Sequence, residues 1–311
     1  RRPTMELEKM SVQSLQKMNT ADRDVFILDT LPNDQFEKAH LPGAQNACVF
    51  EVTFLDQVAT QIPDKTSPVI VYGFSNRSQN ADVAADKLLR AGYTNISILD
   101  GGVEAWARKG FELEGDASEV LAPTSLYVPD GTYAIDLDAS WIEWTGRNPN
   151  TRHYGTIQLS QGEISVQDQV VTGRFVIDMQ TIKNINLEGD ELQPILEEHL
   201  KSDDFLFVEL FPEAVYEITQ GAPKPSDLNV PASSAPNYDI NGALTLRGIS
   251  AELNFDTTLN VLPDGRLSAE AHLDFDRTRW GVIYGSSRFF EHLGMHIVFD
   301  LISVQMKIVT K

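Results

Sequence analysis

Cys48 is the only cysteine of the 311-residue chain, which rules out an intrachain disulfide and a multi-cysteine metal site. It follows the HLPGA run and lies outside the 73–78 loop, so a small buried apolar thiol is the better account of it. The segment Gly73-Phe74-Ser75-Asn76-Arg77-Ser78 separates an apolar run from a helical one. Such a turn aims backbone N–H groups and the positive end of a helix dipole at one point, which suits an anion or a thiolate. Two readings of it stay open. Ser75, Asn76, Arg77 and Ser78 bind an anion or a partner's acidic side chain, or the loop only caps the helix. His292 and His296, with Glu291 beside them, have the spacing of a metal pair on one helical face. Gly294 weakens a helix there and no third ligand follows, so no metal is assigned. Asp203 and Asp204 read as solvated turn residues and His199 as a structural histidine. Neither a Ser–His–Asp order nor a phosphate-cradling G-x-x-x-x-G-K-[ST] occurs, and no catalytic residue is assigned.

The elements that position these residues fall into two patterns. Asp24 to Asp29, Pro68 to Tyr72 and Ile96 to Leu99 are short apolar runs of the kind buried on both faces of a parallel sheet. Helical patterns lie between and after them: FEVTFLDQVATQI, then SQNADVAADKLLRAGY with Ser78 as N-cap and Gly92 as stop, then GVEAWARKG. This strand–helix alternation predicts a parallel α/β sheet. After Gly115 the stretch 116–126 reads as a linker. Period-2 alternation then predicts eight strands in meander order and a closed barrel or sandwich. LQPILEEHLKSDDFL reads as a helix beside it, and Gly221 to Pro236 as a long exposed loop.

Along the strands, Ile142 and Trp144 share a face, as do Phe175, Ile177 and Met179. Tyr216 with Ile218, Leu244 with Leu246, Leu273 with Phe275, and Val304 with Met306 and Ile308 complete the inward set. Trp280, Tyr284, Phe289 and Phe290 crowd one segment, which reads as the barrel's mouth or a plug of one end. Eight strands lie near the size at which side chains either fill a barrel or leave room for one ligand, and periodicity leaves both open.

Forty-five acids against 25 bases give a net charge of −20, against nucleic acid or an anionic surface as partner. No run of ~18–20 apolar residues is present to span a bilayer. The opening RRPTMELEKM leaves open whether a targeting segment has been removed.

The run VIVYGFSNRSQNADVAADKLLRAGYTNISILDGGVEAWARKG, with AHLPGAQNA before it, resembles the rhodanese-like family over residues 5–115. In that family the strand ends in a cysteine, four residues and an arginine. Here Gly73 holds the cysteine's place counted from the strand, and Tyr72 holds it counted back from Arg77. The resemblance therefore implies a rhodanese fold without its nucleophile, a pseudoenzyme rather than an enzyme. Thr30 and Leu31 also stand where many relatives have an arginine.

Residues 127–311 resemble the YceI-like family through SWIEWTGR, HYGTIQLSQGEI, GRFVIDMQTI, HLKSDDF and DRTRWGVIYGS. That resemblance implies an antiparallel eight-stranded lipocalin-like barrel around a long apolar chain, a polyisoprenoid or a fatty-acid-like lipid, with no other cofactor. The expected protein is an α/β parallel-sheet domain followed by an all-β barrel. The barrel is expected to act as carrier or sensor, and the first domain as a docking module whose loop could meet a protein partner. Sulfur transfer by a persulfide on Cys48, or phosphate-ester chemistry in the altered loop, is the alternative. YceI-like proteins are commonly exported, so a periplasmic or secreted location is expected, with the cytoplasm as alternative.

Overall fold

The computed structural model describes residues 7–18, 25–116, 126–225 and 232–311. Most of the 116–126 stretch and part of the 221–236 loop lie outside them. The chain divides into two compact units, 1–122 and 123–311.

The first unit is a parallel sheet of β1 (Glu8–Met10), β2 (Phe26–Asp29), β3 (Gln45–Asn46), β4 (Val69–Tyr72) and β5 (Ile96–Leu99), in the order β1-β5-β4-β2-β3. All four residues of β4 are buried, because helices cover both faces of the central strand. These are α1 (Val12–Lys17), α2 (Asn33–Lys38), α3 (Phe54–Gln61), α4 (Asn80–Arg90) and α5 (Gly102–Arg108). Two apolar clusters lie on the two sides: Phe54, Val58, Ala84 and Leu88 on one, Leu15, Leu41, Tyr72 and Trp106 on the other. Sequence reading finds the three central strands and misses β1 and β3. Both are short edge strands with polar residues, too brief to show a period. α4 starts at Asn80 with Gln79 in the cap position, one residue later than Ser78 would place it. Ser78 instead bonds the Asn80 side chain.

The second unit is β6 (Gly131–Ala134), β7 (Trp141–Arg147), β8 (Arg152–Gln167), β9 (Val170–Asn184), α6 (Leu192–Lys201), β10 (Glu213–Pro223), β11 (Tyr238–Leu246), β12 (Ile249–Glu252), β13 (Phe255–Val261), β14 (Leu267–Asp276) and β15 (Leu301–Val309). Eight strands form a closed antiparallel ring, β7-β8-β9-β10-β11-β13-β14-β15, with β15 pairing back onto β7 and β10 onto β11. The predicted strand YAIDLDASWIEWTG breaks into β6 and β7 at the turn where Asp136 accepts from the N–H groups of Asp138 and Ala139. β6 and β12 are outside the ring, on β8 and β11. The β8–β9 pairing shifts register after Thr156 and again after Leu159, and each β-bulge turns the following side chains to the opposite face. Gly242 admits the ring of Tyr216, whose hydroxyl crosses it to donate to the Leu253 carbonyl at 2.8 Å. A Cβ there would sit 2.5 Å from that hydroxyl.

One end of the barrel carries the β7–β8 hairpin, α6 and the segment 281–300. Arg277, 2% exposed, holds that segment. Its guanidinium donates to the carbonyls of Val282 (2.6 Å), Tyr284 (2.7 Å), Val298 (3.0 Å) and Phe299 (3.1 Å). Asn184, fully buried, binds the other side. It donates to the Tyr154 carbonyl and to Asn186, and accepts from Leu187 N, while its own N–H meets Glu197 of α6 at 2.8 Å. Arg277→Met keeps most of the stem but leaves four carbonyls without their donor. It is expected to cost roughly 3 kcal/mol in denaturant unfolding of the barrel, with faster hydrogen exchange across 281–300 than elsewhere in the barrel.

Candidate functional site

The barrel encloses a cavity of about 340 Å³. That is within the range of small-molecule sites and roughly twice an engineered apolar cavity that holds benzene. Its wall comes from alternate residues of every ring strand. Ile142 and Trp144 of β7 line it, as do Phe175, Ile177 and Met179 of β9. So do Tyr216 and Ile218, Leu244 and Leu246, Leu273 and Phe275, and Val304, Met306 and Ile308. The whole inward set read from alternation faces one space.

Trp280 and Tyr284 do not line it. Trp280 is fully buried, its indole N–H bonded to the Leu244 carbonyl at 2.7 Å and its ring edge-on to Phe275. It locks the turn after β14 onto β11. Tyr284 packs edge-on to His199 at 4.9 Å and tilted against Phe205 at 5.1 Å, with its hydroxyl 3.3 Å from His296. Phe289 and Phe290 are about half exposed and are not in the wall either. The aromatic-rich segment therefore covers the end without forming the opening. At the same end the lining is completed by half-buried Arg147, Asn148 and His153 of the hairpin and Leu196 and Leu200 of α6.

Sequence reading missed Ile157, Leu159 and Ile164 of β8 and Ile182 of β9. The bulges are the cause: Ile157 and Leu159 share one parity and Ile164 the other, so a single alternation does not hold along the strand. The hairpin and helix residues were hidden because nothing local in the sequence says which loops return over the barrel end.

His292 sits at a left-handed φ of +58° and Gly294–His296 is a single 3-10 turn, so no helix brings the two histidines onto one face. Among the described residues no three His, Cys, Asp or Glu side chains converge on a metal-sized site. His199 pairs with Asp204 at 3.0 Å on the surface.

In the first unit the loop 73–78 is bound to the turn before α5. The Asn76 amide donates to Asp100 at 2.8 Å and accepts from Gly101 N at 2.7 Å. Arg77 pairs with Glu104 at 3.0 Å. The carbonyls of Gly73 and Phe74 accept from Val103 and Glu104. Ser75 is buried and accepts from Arg77 N at 3.3 Å. Gly73 has no room for a side chain, since a Cβ would meet Asn80 at 2.9 Å. Tyr72 points into the core, fully buried, and its oxygen accepts from Leu41 N at 3.1 Å. Cys48 is buried and lies outside the loop. Thr30, also buried, bonds the Tyr72 carbonyl at 2.8 Å.

Beside Tyr72, Asp29 is fully buried. Its Oδ1 accepts from Leu31 N at 2.7 Å, while Oδ2 has no well-formed hydrogen bond among the described residues. Burial pushes its carboxyl above the usual range, against Tyr72, the Leu31 N–H and His40, which favour the charged form. Burial, and then the charge of Asp29, raise Tyr72 in turn.

Two family models match the chain: the YceI-like domain over residues 133–310 and the rhodanese-like domain over residues 11–109. Among curated proteins, the adenylyltransferase and sulfurtransferase UBA4 of Meyerozyma guilliermondii is 31% identical over 104 residues, which are 32% of this chain and 23% of that one. The adenylyltransferase and sulfurtransferase MOCS3 of Caenorhabditis briggsae is 31% identical over 105 residues, 32% and 26% of the two chains. The chain thus spans about a quarter of the length of these relatives. Among solved structures, BcnA of Burkholderia cenocepacia is 16% identical with a TM-score of 0.44, over 57% of this chain and 99% of that one. A polyisoprenoid binding domain from Saccharophagus degradans is 15% identical with a TM-score of 0.41, over 58% and 97%.

Asp29 gives a pH test of the first unit. Its folded-state pKa is raised, so the folded unit holds the proton more tightly than the unfolded chain does. The stability it contributes is present at low pH and is lost as pH rises through the raised value. Asp29→Asn removes this dependence. Opening free energies from hydrogen exchange of the β2 and β4 amides are expected to favour the variant more at pH 7 than at pH 4; an equal difference at both would contradict the assignment.

Proposed function

The chain belongs to the YceI-like domain family, and from that premise we propose that its barrel holds one long apolar molecule, isoprenoid- or fatty-acid-like, as carrier or sensor. The observation that carries this reading is the open interior. A chain that only needed a core would fill it, because protein interiors pack to crystal density and each unfilled volume costs stability. Here the wall is mostly apolar and about 340 Å³ is left free. At ~25 cal/mol per Å², a ligand losing a few hundred Å² of apolar area gains several kcal/mol before association costs. Met179 and Met306 give the wall side chains that adapt to an irregular chain.

In the same proposal the rhodanese-like unit is a docking or regulatory module without sulfur chemistry. Its support is the crowded Gly73, the buried Tyr72 and a loop whose polar side chains already bond one another. The curated relatives favour the rival reading, sulfur transfer, since both are named as sulfurtransferases. Cys48 would then have to carry the persulfide, and its burial weighs against that. The location outside the cytoplasm belongs to the proposal as well, and cell fractionation with antibody detection tests it.

Organic extraction of the full chain purified without detergent, followed by mass spectrometry, is expected to release an apolar chain at up to one equivalent. Leu159→Trp, which places an indole in the cavity, is expected to release much less. Repeated extraction yielding nothing from the unaltered chain would overturn the carrier reading. For the first unit, thiosulfate:cyanide transfer is expected at background in both the unaltered chain and Cys48→Ala. Activity that the substitution abolishes would establish the rival.

A further inference from the structure

The polar groups of the cavity wall are sorted by depth and by kind. Inside, they are already spent on protein carbonyls: the Trp144 indole on Thr156, the Tyr216 hydroxyl on Leu253, the Thr257 hydroxyl on Glu270 and the Arg277 guanidinium on four. Tyr238, at the opposite end of the barrel from the hairpin, brings a neutral phenol. At the hairpin end the lining includes three polar side chains, Arg147, Asn148 and His153, each with an N–H to donate.

Arg147 donates through Nη1 to Ser303 Oγ at 2.7 Å, and the Ser303 hydroxyl donates in turn to Asp274. Among the described residues no carboxylate ion-pairs directly with this guanidinium, and its remaining N–H groups are uncommitted. The Asn148 carbonyl oxygen is occupied by the N–H groups of Asn150 (2.9 Å) and Thr151 (2.8 Å), which leaves its NH2. For His153 the tautomer follows from its neighbour. Asn186 Oδ1 accepts from Tyr154 N and from Asn184, which fixes the Asn186 amide so that its nitrogen faces His153 Nδ1 at 3.4 Å. Nδ1 is then the acceptor and Nε2 carries the hydrogen. Among the described residues the wall contains no Asp or Glu, in a chain that has 45 of them. In an acidic protein this lining is free of carboxylates and has an arginine at its hairpin end.

Resting on the reading of the barrel as an apolar-chain site, we propose that its ligand ends in an anionic head group, a carboxylate or a phosphate, seated on Arg147, Asn148 and His153 with the chain running inward. A charge-assisted bond to Arg147 is about twice as strong as a neutral one and fixes which end of the molecule faces water. Dodecanoate and farnesyl phosphate share this chemistry, and comparing them tells which head group these residues prefer.

The test is calorimetric titration of delipidated full chain at pH 7.5 with four probes: dodecanoate, dodecanol, farnesyl phosphate and farnesol. At least one anion is expected to bind ten-fold or more tighter than its own alcohol. Arg147→Gln is expected to remove most of that advantage while the alcohol's affinity stays within two-fold, and the alcohol thereby reports that the barrel is still folded. Anion and alcohol binding equally, or Arg147→Gln weakening both alike, overturns the head-group assignment and leaves the apolar-chain reading standing. Binding of none of the four probes overturns both.

Discussion

The pairing of β10 with β11 is the contact on which the second unit depends, because it turns a sheet into a ring. Without it both strands would be edges, open to pairing with another chain. With it, eight strands fix the radius, and that radius decides how much of the interior side chains can fill. The cavity follows from closure together with a wall whose residues are large but few enough to leave the axis free. The same ring sets chemistry aside. Wall groups with polar atoms deep inside give them to neighbouring carbonyls, so the interior offers an apolar chain contact without competition.

The rhodanese-like unit is governed by a different constraint, a parallel sheet buried on both faces. Its loop 73–78 joins β4 to α4. Here the loop is stitched to the turn at 100–104 by Asn76 and by two backbone carbonyls, and the strand before it ends in a tyrosine directed into the core. Asp29 shows what this burial costs: its carboxyl is out of water with one oxygen lacking a well-formed hydrogen bond among the described residues, and the neighbouring Tyr72, Leu31 N–H and His40 offset only part of that at neutral pH.

Much of this was legible in the sequence. Short apolar runs marked β2, β4 and β5, and strict alternation gave the inward faces of β7, β9, β10, β11, β14 and β15, because a period of two survives wherever a strand stays regular. β8 lost its signal at the bulges, where parity changes between Leu159 and Ile164. Trp280 and Tyr284 misled for another reason. Aromatic side chains mark a crowded place, and composition does not distinguish a wall from the brace behind it. Arg147, Asn148 and His153 lie in an ordinary hairpin turn, and only the folded chain reveals that this turn borders the cavity.

Arg277 carries a consequence for traffic. Its guanidinium gathers carbonyls from both ends of 281–300, residues 282 and 284 on one side and 298 and 299 on the other, so the two ends of the segment part only by losing those bonds. On the proposed reading of the barrel, a guest that enters at this end would pass on the other flank, between the β7–β8 hairpin and α6, and its exchange would depend on that helix, tethered through Glu197 and Gln193 to Asn184, lifting from its seat.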